Sequence, residues 1–332
     1  MYLQANDCNP NTGKCGIYRY SMINNSFVEL GSVYTFDPRA SSVTPWKGAG
    51  AGLDLYIDGL TEEAYLIAVF YRYTNQGISY TYGPSTVVKY KISDGFISTH
   101  VANPNVNGVV VEGEKVYVTS FGGPQVAMGS GSSKIEMFHH YAEDIDFEWQ
   151  FDINALNGVE YEEDDVTPHV NFGGDIVDIA FKAGKAYIYL AHYDEEYDYY
   201  RYRIICVNKA SLEARNLNGA KAAKEQEARP ASPCFGFLQG EGDKLYFVDG
   251  VHIREIDTSV ESNEFGQEAL GNSDGIISAN HFTKGTDMAT VINTAAIVID
   301  RSVARTAGNG VRASVTRMAK RLVRPDELER RE

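Results

Sequence analysis

"EGEKVYVTS" (112–120) sets a glycine among acidic residues, then a lysine, then alternating apolar and aromatic positions. The phrase returns as "KAGKAYIYL" (182–190) and "EGDKLYFVD" (241–249), with "LTEEAYLIAVF" (60–70) as a looser copy. The glycine supplies the positive φ of a tight hairpin, and the period-two alternation behind it predicts a strand with one buried face. The phrase tyrosines are Tyr65, Tyr117, Tyr187 and Tyr246, spaced by 52, 70 and 59 residues.

Outward from each phrase the pattern continues. An apolar strand precedes it: "GLDLYI", "NGVVV", "DIVDIAF" and "CFGFLQ". A third strand follows: "TVVKYKISDGF", "SKIEMFHHYAED", "RIICVNKASLE" and "HIREIDTSVES". A fourth, less apolar segment often comes next. Units of this length with about four strands each are the signature of propeller blades, whereas a sandwich would show irregular strand phrases. The start of the chain, "MYLQAND", "KCGIYRYSM" and "FVELGSVY", predicts three strands of a blade whose innermost strand is missing from this end. Strands from both ends would then complete one blade and remove an exposed edge. "GIISANHFTKGTDMATVINTAAIVIDRS" (275–302) reads as a further copy without the tyrosine. The expected fold is therefore all-β: a β-propeller of about five to seven four-stranded blades over residues 1–303.

Residues 304–332 leave this pattern. Val311, Val315, Met318 and Leu322 recur at helical spacing with arginines between them, which predicts a short basic amphipathic helix ending near Pro325. It either packs on the propeller or docks an acidic partner or anionic surface.

The third strands "IICVNKASLE" and "IREIDTS", with the turn "NPNTGK", resemble the repeats of the YVTN and quinoprotein-like propeller superfamily over roughly residues 1–300. The resemblance is one of blade pattern and implies a propeller. The superfamily contains binding scaffolds, lactonase-like enzymes and amine dehydrogenase large subunits. Trp46 and Trp149 are the two tryptophans, so the repeated tryptophan motif of the alcohol-dehydrogenase quinoproteins, and with it a quinone cofactor, is not expected.

Charge narrows the partners. Of a formal −15, residues 301–325 contribute seven positive charges and no acid, so the remainder carries −22. Such a body repels a phosphate backbone, and nucleic acid is not an expected partner. No apolar run is long enough to span a membrane, so no transmembrane segment is expected. The expected setting is periplasmic or extracellular, with a signal peptide not shown in this sequence.

No GxSxG, HExxH or Walker lysine motif is present. "GAGAGLDLYI" (48–57) runs into a strand, so it lacks the helix N-terminus a pyrophosphate needs. In a propeller, loops leading into the first strands ring one mouth of the channel. "VTPWKGAGAG", "STHVANPNVNG", "VTPHVNFGGD", "RPASPCFG" and "LGNSDG" hold those places and would bring Trp46, His100, His169, Cys234 and Asp274 together. Trp46, His100, His169 and Asp274 are the expected ligand-binding residues. Two histidines there could bind a metal or act as acid and base; the plainer alternative is that each caps its own loop.

Calcium is the one possible cofactor. Asp194, Glu195 and Glu196, in "HYDEEYDYYRYR" (192–203), are the candidate oxygen ligands, against the plainer reading of a solvated acidic rim. "EYEEDD" (160–165) offers the same choice. The expected function is a non-catalytic binding or scaffold module presenting tyrosine-rich loops to a protein, peptide or glycan. The alternative is an exported lactonase-like or dehydrogenase-like enzyme with His100 and His169 at the channel mouth.

Cys8 and Cys15 flank the turn in "NDCNPNTGKCG" (6–16), while Cys206 lies in an apolar run and reads as a small buried hydrophobe. Opposed strand positions place Cα atoms about 4.5–5.5 Å apart, within reach of a disulfide. Protein made in an oxidising compartment is therefore expected to carry a Cys8–Cys15 bond, visible as a two-hydrogen gain in intact mass on reduction. An unchanged mass excludes the bond.

Overall fold

The computed structural model describes residues 2–5, 16–21, 23–37, 39, 46–76, 79–95, 97–121, 133–141, 144–152, 175–194, 199–216, 221–227, 235–239, 244–249, 252–258 and 277–278. The chain is mostly β, laid down as five successive antiparallel sheets. The first has three strands: β1 (Tyr2–Ala5), β2 (Gly16–Ser21) and β3 (Ser26–Ser32). A one-turn helix, α1 (Val33–Phe36), follows, its N-cap Ser32 accepting from the Thr35 N–H.

The second sheet is β4 (Lys47–Ile57), β5 (Ala64–Gln76), β6 (Ser79–Lys91) and β7 (Ile97–Pro104). The third is β8 (Val106–Glu112), β9 (Lys115–Ser120), β10 (Lys134–Tyr141) and β11 (Asp144–Asp152). The fourth comprises β12 (Asp175–Lys182), β13 (Lys185–Asp194), β14 (Tyr199–Asn208) and β15 (Lys221–Glu227), with the short helix α2 (Lys209–Glu213) after β14. The fifth is β16 (Phe235–Gln239), β17 (Lys244–Asp249), β18 (His252–Asp257) and β19 (Ile277–Ser278). Within every sheet the strands pair in chain order.

The recurring phrase runs into the second strand of four sheets: β5, β9, β13 and β17. At the β8–β9 turn Gly113 takes φ +65, and Glu112 pairs with Lys115 across it. That is the glycine requirement of a two-residue hairpin. The expectation of one buried face is corrected: Tyr65 to Phe70 in β5, Val116 to Ser120 in β9 and Ala186 to Leu190 in β13 are buried on both faces. The second, third and fourth sheets each lie between two neighbours, so alternate residues of their second strands enter different cores. Leu66, Ala68 and Phe70 pack toward the first sheet with Ile17 and Phe36. Ile67 and Val69 pack toward the third with Val109, Val118 and Phe138. A further core holds Tyr117, Ile135 and Met137 of the third sheet against Ile179, Ile188 and Leu212 of the fourth. Tyr65, Tyr117 and Tyr187 of the phrase are accordingly buried. Tyr117 is fully buried, its ring 4.4 Å from that of Phe181 and its hydroxyl donating to Glu213 at 3.0 Å.

The sheets meet along their first strands: β1 lies beside β4, β4 beside β8, β8 beside β12 and β12 beside β16. Gly52 permits one of these approaches, since a Cβ there would stand 3.0 Å from the Val109 nitrogen. Two expectations change here. The first sheet is not missing its inner strand, because β1 lies beside β4. Ile277 and Ser278, read as part of a further copy, instead form the fourth strand of the fifth sheet by pairing with β18. The rest of that copy and the basic segment 304–332 lie outside the described residues.

The first strands are edge strands, and side chains of neighbouring sheets satisfy their free backbone groups. Asp54 accepts from the Val111 N–H at 2.7 Å with one carboxylate oxygen and from its own neighbour Leu55 at 2.8 Å with the other. Asp178 repeats this toward Phe237 at 2.8 Å and Ile179 at 2.9 Å. Asn107 donates to the Ile176 carbonyl, and Ser133 accepts from the Ile176 N–H at 2.9 Å. Hydrogen bonds from buried donors to a charged acceptor are worth about 1.5–3 kcal/mol, and the orphaned N–H adds its own desolvation cost. Asp54→Ala and Asp178→Ala are each expected to lower the unfolding free energy by about 2–3 kcal/mol, with Asn at either position losing less. Urea midpoints measure this, and unchanged midpoints would show that the two carboxylates do not hold the sheets together.

Candidate functional site

Of the residues expected to meet at a channel mouth, the structure describes Trp46 and His100. Trp46 precedes β4, and the Arg72 guanidinium lies 4.7 Å over its ring. His100 is not in a loop leading into a first strand. It sits inside β7, paired with Val87, its ring 5.3 Å from that of Phe138. The reading that put it in a loop followed "STHVANPNVNG" as one polar run, whereas the turn is confined to Asn105, whose φ is +58. His169, Asp274, Cys234, Cys8, Cys15, Glu195 and Glu196 lie outside the described residues. Asp194 ends β13, opposite Tyr199. Within the 192–203 stretch, residues 192–194 and 199–201 pair with each other as strands. Among the described residues, no group of three or more His, Cys, Asp or Glu side chains is placed to hold a metal ion. Cys206 is a buried free thiol, pushed up to about 12 by burial.

A pocket of about 120 Å³ opens between the second and third sheets, at the ends where β4 turns into β5 and β8 into β9. Tyr56, Tyr65 and Tyr141 give it aromatic walls, and Lys89 and His140 stand inside with Asp58 and Glu114 at the turns. Lys89 is almost wholly buried on β6. Its ammonium donates to the Tyr141 carbonyl at 2.9 Å and the Asp144 carbonyl at 3.4 Å, and lies 4.4 Å over the Tyr65 ring. Two carbonyls and a π face together replace the water this cation has lost.

The His140 Nε2–H donates to the Gly113 carbonyl at 2.9 Å, and the ring meets Tyr56 edge-on at 4.0 Å. Burial, then the hydrogen bond to Glu63, push the Tyr65 hydroxyl up to about 12, so it stays a donor at neutral pH. Backbone N–H groups of Thr61 and Leu60 hold Asp58 below the usual carboxylate range. Sequence reasoning missed this site because its polar members come from strands and turns of two sheets that are far apart in the chain. The available signal was Lys89, a charge inside the apolar run "STVVKYK".

Farther along the same seam, Glu136 on β10 accepts from the Asn103 N–H on β7 at 2.8 Å, and Asn103 in turn donates to Gln150 at 3.2 Å. Burial pushes this carboxyl up to about 7, against the opposing pull of the Asn103 hydrogen bonds and the Lys134 charge.

No family model matches the sequence, and no curated protein matches it. Among solved structures the chain is similar to a cobalt-substituted apocarotenoid oxygenase of Synechocystis: TM-score 0.38, 8% identity, covering 80% of this chain and 62% of that one. A single-residue variant of the same enzyme gives a TM-score of 0.37 at 8% identity, covering 74% and 54%. The chain thus spans about three fifths of that enzyme's length. A likeness this distant carries no argument about fold or activity.

Glu136 generates a pH expectation. Its proton is held more tightly folded than unfolded, so stability falls as pH rises from the ordinary carboxylate range to about 7 and is level above it. Glu136→Gln is expected to flatten that slope and, above pH 7, to stabilise by on the order of 1 kcal/mol or more. Urea midpoints of both proteins between pH 4.5 and 8 test this, and curves that stay parallel throughout contradict it.

Proposed function

We propose that the successive sheets are blades of a β-propeller, and that the chain is a non-catalytic binding module for a protein, peptide or glycan. The ring arrangement is supported by the run of first strands, each lying against the next while the remaining strands follow in order. Five sheets give five blades in this reading, within the usual range for the class. The observation that carries the binding reading is the polar, aromatic pocket between the second and third sheets. Lys89 and His140 direct N–H groups at main-chain carbonyls, so they offer a visitor a fixed polar wall rather than a free base or nucleophile. Its size suits one anchoring group of a larger ligand, a sugar ring edge or a polar side chain, with the remainder crossing the exposed Tyr141 rim. The proposed setting is periplasmic or extracellular, and the basic segment 304–332 is proposed to dock an acidic partner.

Peptide and glycan arrays probed with the wild-type chain and with Tyr141→Ala test the assignment. The Lys89 tether ends on the Tyr141 main-chain carbonyl, so this variant removes the aromatic rim and keeps the tether. The expected result is a saturable probe whose affinity falls at least about tenfold in the variant, the scale of one aromatic anchor. Equal affinity for both proteins, or chemical conversion of the probe, would count against the proposal.

A further inference from the structure

Arg72 on β5 stands directly opposite Gly83 of β6. Its guanidinium lies 4.7 Å over the Trp46 ring. It also crosses Gly83 so closely that a Cβ there would stand 2.8 Å from Nε and Nη2, and 3.0 Å from the Trp46 ring. The missing side chain at position 83 is what lets the guanidinium lie flat in this place. A planar cation is thus fixed by a ring and a bare strand, and its edge needs an acceptor.

The described residues supply none. Arg72 Nε is buried without a hydrogen-bond partner, and none of the described residues accepts from the other two nitrogens. Asp37, whose charge Arg72 feels, is already committed. It accepts from the Arg39 main-chain N–H at 3.0 Å, Arg39 Nε at 2.8 Å, Arg39 Nη2 at 3.0 Å and the Thr86 hydroxyl at 2.7 Å. Four bonds fill the lone-pair sites of a carboxylate. Arg39 also donates to the Ser85 carbonyl at 3.2 Å, two residues along β6 from Gly83, or about 7 Å of strand. Two guanidinium charges therefore share one carboxylate, which leaves a surplus positive charge in a chain of formal charge −15. Burial first, then the Arg39 charge, pull Arg72 below its ordinary value, the mark of a cation lacking a counter-charge.

We propose that this cluster binds the carboxylate of a small ligand, with Arg72 donating from its edge and Arg39 adding its charge. A carboxylate brings the single negative charge that the surplus calls for, and its two oxygens match a guanidinium edge. A phosphate monoester brings nearly two charges into an acidic body and fits less well. Trp46, expected from the sequence to contact a ligand, serves instead as the shelf for Arg72. The inference is independent of the pocket between the second and third sheets and of the ring arrangement.

The test is an NMR titration of the full chain carrying isotopically labelled arginine, with sodium acetate replacing sodium chloride at constant ionic strength. The Arg72 Nε–H resonance, identified by its proximity to the Trp46 ring protons, is expected to shift saturably with a millimolar dissociation constant, the scale of one charged group. Inorganic phosphate is expected to bind more weakly. Gly83→Ala displaces the guanidinium and keeps both arginine charges, so acetate affinity is expected to fall at least about tenfold, the scale of a hydrogen bond to a charged group. No saturable shift in the wild-type chain, tighter binding of phosphate, or equal acetate affinity in Gly83→Ala would each overturn the assignment.

Discussion

A sheet that meets its neighbours along an edge has backbone N–H and C=O groups pointing at another sheet instead of at a strand. Buried and unpaired, each would cost as much as several apolar contacts contribute. The Asp54 and Asp178 carboxylates answer this constraint, each taking the N–H of the next first strand with one oxygen and that of its own neighbour with the other. Asn107 and Ser133 do the same work at β12, and Glu136 does it for Asn103 on an outer strand. Apolar residues fill the space between sheets, but these side chains fix how the sheets stand relative to each other. An apolar contact tolerates sliding by an ångström; a hydrogen bond of 2.7 Å to a single N–H does not.

The repeat also explains itself in these terms. At two seams the phrase lysine reaches the segment that follows the third strand of the next sheet, and at one of them the phrase tyrosine does so too. Lys115 and Tyr117 meet Glu213 of α2, and Lys185 meets the Thr258 carbonyl after β18. A residue type conserved from unit to unit within one chain marks a contact repeated from seam to seam. The alternation around it marks a strand wedged between two cores.

The order of strands was legible in the sequence because it depends on local periodicity and turn glycines, which a strand cannot do without. The double-sided burial of β5, β9 and β13 was not: alternation of apolar and aromatic residues looks the same whether one or both faces are covered, and only the neighbouring sheets decide. His100 was misread because a polar run containing Pro104 and three asparagines resembles a loop, although its backbone continues the β6 ladder as far as Pro104. The pocket was illegible for a different reason. Tyr56, Lys89, His140 and Tyr141 come from β4, β6 and β10 of two sheets, and no spacing along the chain encodes their meeting.

Lys89 shows how far such a seam constrains sequence. In the second sheet the position equivalent to Lys115 is Glu63, which cannot donate to the neighbouring sheet and instead accepts from Tyr65 and pairs with Lys91. Yet the seam still has a cation reaching the segment after the next sheet's third strand, supplied from β6 by Lys89 through the Tyr141 and Asp144 carbonyls. The geometry therefore demands a donor at that place and is indifferent to the strand that provides it. Moving the donor inward brought Lys89 beneath the Tyr65 ring and left the outer part of the seam to His140, Tyr56 and Tyr141. A looser copy of the phrase and a pocket at the same seam are thus one event seen at two levels. The sequence departs from its own repeat at the place where the structure opens a pocket.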